Sequence, residues 1–429
     1  MGEHRHYRNY VLAALTVASV LNIADRLILS ILLEDIKKAF ALSDTQIGLI
    51  TGLAFTVFYI TFGIPIAWLA DRKNRKTIVA LSIAAWSLMT ALCGAAVGFW
   101  SLFIARMGVG IGESGSGPAG MSLLSDYFRR HELGRAVGFY ALGSTVGTAA
   151  GLMVGGYFAE LLGWRMAFVM LGVPGVLFAL LVMFTVREPE RGRYHFEAVP
   201  ALKSETLGAG LRSWLATVGE LLGNRLYVGV TLAYACMIVI GYAFATWLAS
   251  IILRNFPVSK GEVGFYLGLA FLLGGIPGPI LGGYLTDFLA GRNPKWRAWL
   301  PAAATLLCLP VYYLCLASTS FWWFLGIFSC GYLIFLIAQP PTLSLLQLAV
   351  KPDQRAMALA VALLFNNLIG QALGSFLIGL TSTRLAPTIG THSLPFAVMA
   401  VSIGFGLPGA LLYMWTARQI VAEPDRRAA

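Results

Sequence analysis

Four ionisable side chains lie where the surrounding sequence is almost wholly apolar: Asp25, Arg26, Arg106 and Glu113. At the centre of a membrane-crossing helix each would cost roughly 2.5–3.5 kcal/mol. Residues kept at that cost mark an ion or substrate pathway, the alternative being a structural ion pair. Arg106 and Glu113 are seven residues apart, so they share a helix face with ~10 Å of axial rise, long for a direct salt bridge. Counted from the outer helix ends at ~1.5 Å per residue, Arg106 is ~8–10 Å deep, Asp25 ~13 Å and Glu113 ~20 Å. Asp25 therefore falls between the other two if the first and fourth helices face one cavity. The chemistry this suits is proton exchange, with Asp25 and Glu113 alternating as partners of Arg106. A low-dielectric site favours the neutral carboxyl and a nearby guanidinium favours the carboxylate, so opening and closing the cavity couples protonation to conformation. Asn22, one turn before Asp25, can hydrogen-bond a partner or a substrate. Arg26 is ~100° around the helix from Asp25 and is assigned a different task, binding substrate together with Arg106.

Helices must hold these groups. Of 429 residues, 58% are hydrophobic and 12% charged, against about 25% charged in soluble domains. Twelve apolar runs, from about 10–33 to about 393–417, each suit the ~20 residues that cross a bilayer. The expected fold is an all-α membrane protein with twelve transmembrane helices in two six-helix bundles. The bundles are expected over 1–190 and 225–429, joined by a cytoplasmic linker over 191–224. The formal net charge of +11 sorts by side: 23 of the 31 Lys and Arg fall on one side, six on the other, and Arg26 and Arg106 inside spans. This bias places both termini in the cytoplasm. It reads as an orientation signal with lipid-headgroup contact rather than as a nucleic-acid surface. The five cysteines lie in apolar runs without a CxxC pair, and the five histidines lie in polar segments or near helix ends. No metal, cofactor or catalytic residue is expected, and no oligomer beyond a monomer.

The halves repeat. Ser43 to Phe55 (SDTQIGLITGLAF) matches Ser259 to Phe271 (SKGEVGFYLGLAF), and at the same offset Asp71 falls on Asp287. Both copies open with a capping box, Ser43 with Gln46 and Ser259 with Glu262. Repeats of this kind build carriers that rock about a site near the midplane. The offset sets Asp25, Arg26, Arg106 and Glu113 against Gly241, Tyr242, Trp322 and Ser329, so the ionic first half faces an aromatic, neutral second half. Substrate-binding candidates there are Tyr242, Trp247, Phe335, Gln339 and Asn366. A cavity with one ionic and one aromatic wall suits an amphipathic organic anion, although for any single aromatic ordinary helix packing is the better explanation.

Two further patterns carry two readings each. Gly143, Gly147, Gly151 and Gly155 form a four-residue ladder, either static close packing or a sliding contact between bundles. Asp71, Arg72 and Arg75, with Asp126 and Asp287, cluster at cytoplasmic helix ends, either as a gate latch or as solvated topogenic charge.

The stretch AWLADRKNRK (Ala67 to Lys76) resembles the signature between helices 2 and 3 of the major facilitator superfamily, with Ala67 where Gly is usual, and WRMAF (Trp164 to Phe168) is similar to that superfamily too. Within it, LNIADR (Leu21 to Arg26), LADRKNRK (Leu69 to Lys76), RMGVGIGESGSGPAG (Arg106 to Gly120) and VREPERG (Val186 to Gly192) resemble the Spinster group of lysolipid and sphingolipid-phosphate transporters. Organic-anion symporters share the DR and GE motifs. The resemblance implies the major facilitator fold with helices 1, 4, 7 and 10 around a cavity, a bacterial inner-membrane location, and proton-coupling roles for Asp25, Arg106 and Glu113. The function expected is secondary transport of an amphipathic anion, such as a lysophospholipid, coupled to protons. The rivals are a carrier of small carboxylates or sugar acids, and a channel.

Overall fold

The computed structural model describes residues 2–70, 72–192, 216–351 and 354–420. It is helical throughout, and ten helical stretches are long and apolar enough to cross a membrane. One of these, Met357–Ala417, holds two passes, broken where Gly390 takes φ +59. Two shorter helices, Phe99–Glu113 and Ser116–Tyr127, combine into one further pass. Among the described residues the chain thus has the twelve membrane helices expected. We label them α1 (Gly2–Phe40), α2 (Asp44–Ala70), α3 (Arg75–Gly94), α4 (99–127), α5 (Arg130–Leu162), α6 (Trp164–Thr185), α7 (Arg225–Asn255), α8 (Lys260–Ala290), α9 (Trp296–Leu316), α10 (Phe321–Leu348), α11 (355–389) and α12 (Ser393–Ala417).

Local chemistry sets the helix ends. Both capping boxes form: the backbone N–H of Gln46 donates to Ser43 Oγ at 3.2 Å and that of Ser43 to Gln46 Oε1 at 2.9 Å, with the Ser259–Glu262 pair alike. Asn74 caps α3, accepting from the Thr77 N–H at 3.0 Å. Gly163, at φ +84, turns the chain between α5 and α6, a conformation that glycine adopts without a Cβ clash. Large apolar side chains such as Phe184, Leu177, Tyr284 and Trp323 stay exposed, as lipid-facing surfaces require.

The described chain packs as two compact units. The first comprises Met1–Lys203 together with Ala245–Leu272, and the second Ser204–Phe244 with Leu273–Ala429. The first unit therefore includes the last third of α7 and the opening turns of α8, to Leu272. Most of the linker expected over 191–224 lies outside the described residues.

Glycine governs packing in the first unit. The ladder in α5 lies against α1: a Cβ on Gly147 would sit 2.6 Å from the Val20 carbonyl oxygen, and one on Gly151 2.7 Å from that of Ala24. The ladder is thus close packing within the unit. One step around the same helix, Gly156 would press on the Lys260 carbonyl at 2.5 Å, which brings α8 onto α5. In α4 the glycines alternate between neighbours. Gly110 abuts the Phe55 backbone of α2, and a Cβ on Gly112 would stand 2.5 Å from Trp86 N of α3. Two π-helical stretches, Leu49–Leu53 in α2 and Asn366–Leu373 in α11, were not foreseen.

Candidate functional site

The glycine contacts of α4 bring its polar face onto a small cavity of about 60 Å³ inside the first unit. Six polar residues line it: Ser19 and Asn22 of α1, Tyr59 of α2, Glu113 and Ser116 of α4, and Tyr140 of α5. Leu15, Ala18 and Val79 supply apolar wall. The helix breaks just past Glu113, where the hydroxyl of Ser114 donates to the Ile111 carbonyl at 2.7 Å.

Glu113 is buried, and its Oε2 accepts from Arg26 Nη2 at 2.5 Å and from Nε at 3.2 Å. Arg26 was expected to act apart from Asp25, and it does, as the partner of Glu113. The Arg26 guanidinium also lies 4.5 Å from the ring centre of Phe55 and 5.5 Å from that of Tyr59. Arg106 approaches the same Phe55 ring at 5.5 Å. One fully buried ring thus serves two guanidiniums, and cation–π attraction of about 2 kcal/mol in a desolvated setting helps to hold them. Arg106 is 1% exposed, makes no ion pair among the described residues, and has Nε and Nη1 without hydrogen-bond partners. As the two-turn spacing implied, Arg106 makes no direct pair with Glu113 here, and Arg26 reaches the carboxylate.

Asp25 is not among the residues that line the cavity. It is 1% exposed, and neither carboxylate oxygen has a hydrogen-bond partner among the described residues. Asn22, by contrast, lines the cavity.

At the N-terminal end of the first unit, Arg75 is a hub. Its Nη1 reaches Asp126 Oδ2 at 2.5 Å and Ser122 Oγ at 3.0 Å, and its Nε reaches Glu188 Oε1 at 2.7 Å. Arg191 donates to the carbonyls of Ala70 at 2.8 Å and Lys73 at 2.6 Å. Tyr127 donates to the Arg187 carbonyl at 2.6 Å. Of the cluster expected at these helix ends, Arg75 and Asp126 are brought together, and Glu188 joins them unforeseen. Arg72 stacks on Trp68 at 4.3 Å. Asp71 lies outside the described residues, and Asp287 is exposed near the end of α8 in the second unit.

The opposite end holds a cluster that sequence reasoning missed. Arg254, in the last turn of α7, binds Glu34 Oε1 at 2.7 Å and both oxygens of Asp44 at 2.8 and 3.0 Å. Lys37 adds a contact to Asp44 at 2.6 Å, and Lys260 pairs with Asp35 at 2.7 Å. Gly261 N–H donates to Glu160 at 2.6 Å. The signal was available in the charge bias: Lys37, Arg254 and Lys260 are among the six cations on the minority side. A fourth, Arg165, donates to the carbonyls of Gly94 and Ala96 at 3.0 and 2.5 Å.

In the second unit, Tyr242 donates to Asn367 Oδ1 at 3.2 Å. Asn366 and Gln371, both in the π-helical stretch, are buried with unpartnered carbonyl oxygens. Phe335 closes on Gly241 and continues a run of stacked rings from Phe244 through Tyr312, Phe328 and Tyr332. Trp247 is fully buried in the first unit, and Gln339 is half-buried where α10 bends.

The chain is 33% identical, over 95% of its length and 93% of the relative, to an MFS-type efflux pump of Mycolicibacterium smegmatis. It is 30% identical to the probable galactarate/D-glucarate transporter GudP of Bacillus subtilis, covering 77% of this chain and 76% of that one. Among solved structures it is similar, at TM-score 0.83 and 28% identity over 96% of this chain and 97% of the other, to a bacterial homolog of the human lysosomal transporter Spinster, crystallised inward-facing and unoccupied. The Major Facilitator Superfamily profile matches residues 15–375. With twelve membrane helices and a Spinster-like neighbour, this chain belongs to the Major Facilitator Superfamily.

Proposed function

We propose that this Spinster-like transporter moves an organic anion by alternating access and couples the movement to protons through Asp25, Glu113 and Arg106. The observation that carries the reading is the Arg26–Glu113 pair, its carboxylate on the cavity wall, with a second guanidinium, Arg106, 5.5 Å from the shared Phe55 ring centre and in no ion pair among the described residues. An anion entering the cavity competes with Glu113 for Arg26, and protonation of Glu113 releases the guanidinium to it. Binding and proton uptake then favour one another, as symport requires. The far-end cluster around Arg254 and the hub around Arg75 act as gate latches. Residues 1–190 and 225–429 form the functional halves, with both termini in the cytoplasm of a bacterial inner membrane.

The substrate is an amphipathic anion such as a lysophospholipid, its charged end at Arg26 and Asn22. Tyr242, Trp247, Phe335, Gln339 and Asn366 are the further substrate-binding candidates. A second reading, a sugar acid, is favoured by the cavity itself, where hydroxyls of Ser19, Tyr59, Ser116 and Tyr140 outnumber apolar groups. The relative named for galactarate and glucarate points the same way. Uptake into proteoliposomes of labelled lysophospholipid and labelled glucarate, each with and without an imposed pH gradient, separates the two. Saturable, gradient-responsive uptake of one only assigns the class. Gradient-independent uptake removes the coupling, and unsaturable flux would indicate a channel.

A further inference from the structure

Among the described residues the buried Asp25 carboxylate has no hydrogen-bond partner, and two donors beside it are unsatisfied as well. On α3, Trp86 and Thr90 are each fully buried, and the Trp86 indole Nε1 and the Thr90 hydroxyl have no hydrogen-bond partner. The two residues are four apart, and Cys93 follows three later, so all three share one helix face. That face meets Asp25: the indole N–H and the hydroxyl are the side-chain donors beside its carboxylate, without closing a hydrogen bond. Their placement is fixed from behind, because Gly112 seats the Trp86 backbone directly against α4. On the other side, Gly151 of α5 packs on the Ala24 backbone and holds α1 in register. The charged and titratable groups facing Asp25 are Arg106 and Glu113 of α4 and Cys93 of α3. At the Ala24 contact α5 presents Gly151, which has no titratable side chain.

Unpartnered buried polar groups cost about 1–3 kcal/mol each, so donors and an acceptor left open side by side indicate bonds that close in another state. We infer that Trp86 and Thr90 are positioning residues for Asp25, closing hydrogen bonds onto its carboxylate in the ionised state and letting go in the protonated state. The α1–α3 contact would then tighten and loosen with the proton. Arg106, 5.5 Å from the centre of the Phe55 ring, is left to answer Glu113 and substrate. This inference rests on the proton-coupled reading and adds the residues that sense the charge.

The test needs no substrate. Infrared difference spectra of the purified full-length protein, recorded across pH, follow the C=O stretch of protonated carboxyls, and Asp25→Asn identifies the Asp25 band. Thr90→Val keeps the shape and removes the donor, and Trp86→Phe removes the indole N–H while keeping an aromatic ring, with a smaller volume. Each is expected to move the midpoint of the Asp25 band upward by about one pH unit, a roughly tenfold gain in proton affinity. Thr90→Ser, which keeps the hydroxyl, should titrate like the wild type. Should Thr90→Val fail to fold, Trp86→Phe carries the test alone. Wild-type midpoints in every folded donor variant would overturn the assignment while leaving proton coupling intact. No band lost in Asp25→Asn would overturn both this proposal and the role of Asp25 in coupling.

Discussion

Arg254 and Asp44 lie 210 positions apart and meet through two hydrogen bonds, Nη1 to Oδ2 at 3.0 Å and Nη2 to Oδ1 at 2.8 Å. The pair ties the last turn of α7 to the start of α2, and Glu34 of α1 shares the same guanidinium. Asp44 is 4% exposed, so the bond is shielded from salt. Arg254→Ala should loosen this end. A cysteine placed at Asn22, in a background without exposed Cys330, should then react about tenfold faster with a membrane-impermeant maleimide, for a population shift of about 1.4 kcal/mol. The exchange Arg254→Asp with Asp44→Arg should restore part of the protection. Equal reactivity in all three proteins would exclude a latch here.

Glu113→Gln keeps the volume of the side chain and removes its charge. Arg26 then stands permanently free, so substrate should still bind while uptake ceases to follow a pH gradient. Arg26→Ala should lower uptake at least about tenfold, since a hydrogen-bonded charge pair with substrate is worth about 1.5–3 kcal/mol. Gradient-driven uptake at wild-type rates in Glu113→Gln would refute its coupling role.

Gly147→Leu inserts a side chain where even a Cβ would stand 2.6 Å from a backbone carbonyl. Overpacking of this kind costs about 1–3 kcal/mol, and here the obstructing atom is backbone and cannot swing aside. The variant should lose several degrees of thermal stability in detergent. Gly138→Leu, on the same helix but with nothing within 4 Å of its Cβ position, is the control and should match the wild type.

Arg75→Ala strands Asp126, which is 3% exposed, and removes the hold on Glu188 and the Pro189 carbonyl. Loss of one partner from a buried pair costs about 3–5 kcal/mol. Arg75→Lys should recover little, because a single ammonium cannot reach Asp126, Glu188 and Pro189 from one plane. Thermal melts of the two variants check this, and wild-type stability in either would make the hub a surface feature.

The helix count, the capping boxes and the four intramembrane charges were legible because each rests on local chemistry: apolar length, a Ser with a Gln or Glu three residues on, and the cost of a charge in lipid. Partner choice was not. Arg26 sits one residue from Asp25, yet the two side chains serve different neighbours, and only the angle between α1 and α4 decides which guanidinium reaches Glu113. Phe55 was visible as the end of a repeated GLAF motif, but repetition does not tell that its ring lies between two arginines. The glycine ladder could be read as close packing, whereas the identity of the facing helix, α1, required the fold. The far-end cluster was overlooked for a different reason. A side rule based on counting cations treats the minority as noise, and here four of its six members make specific bonds.

The boundary between packed units does not follow the boundary between sequence halves, since Ala245–Leu272 belongs with the first unit. This has a bearing on protein engineering. A gene cut in the linker would produce an N-terminal fragment in which Glu34, Asp35 and Asp44 keep only Lys37 as a counter-ion, because Arg254 and Lys260 are encoded in the other piece. Co-expressed halves should therefore find each other through that acidic patch. A complementation assay built on the split protein would be sensitive to salt, and a hybrid made by exchanging halves between relatives would need to carry residues 245–272 along with the first half.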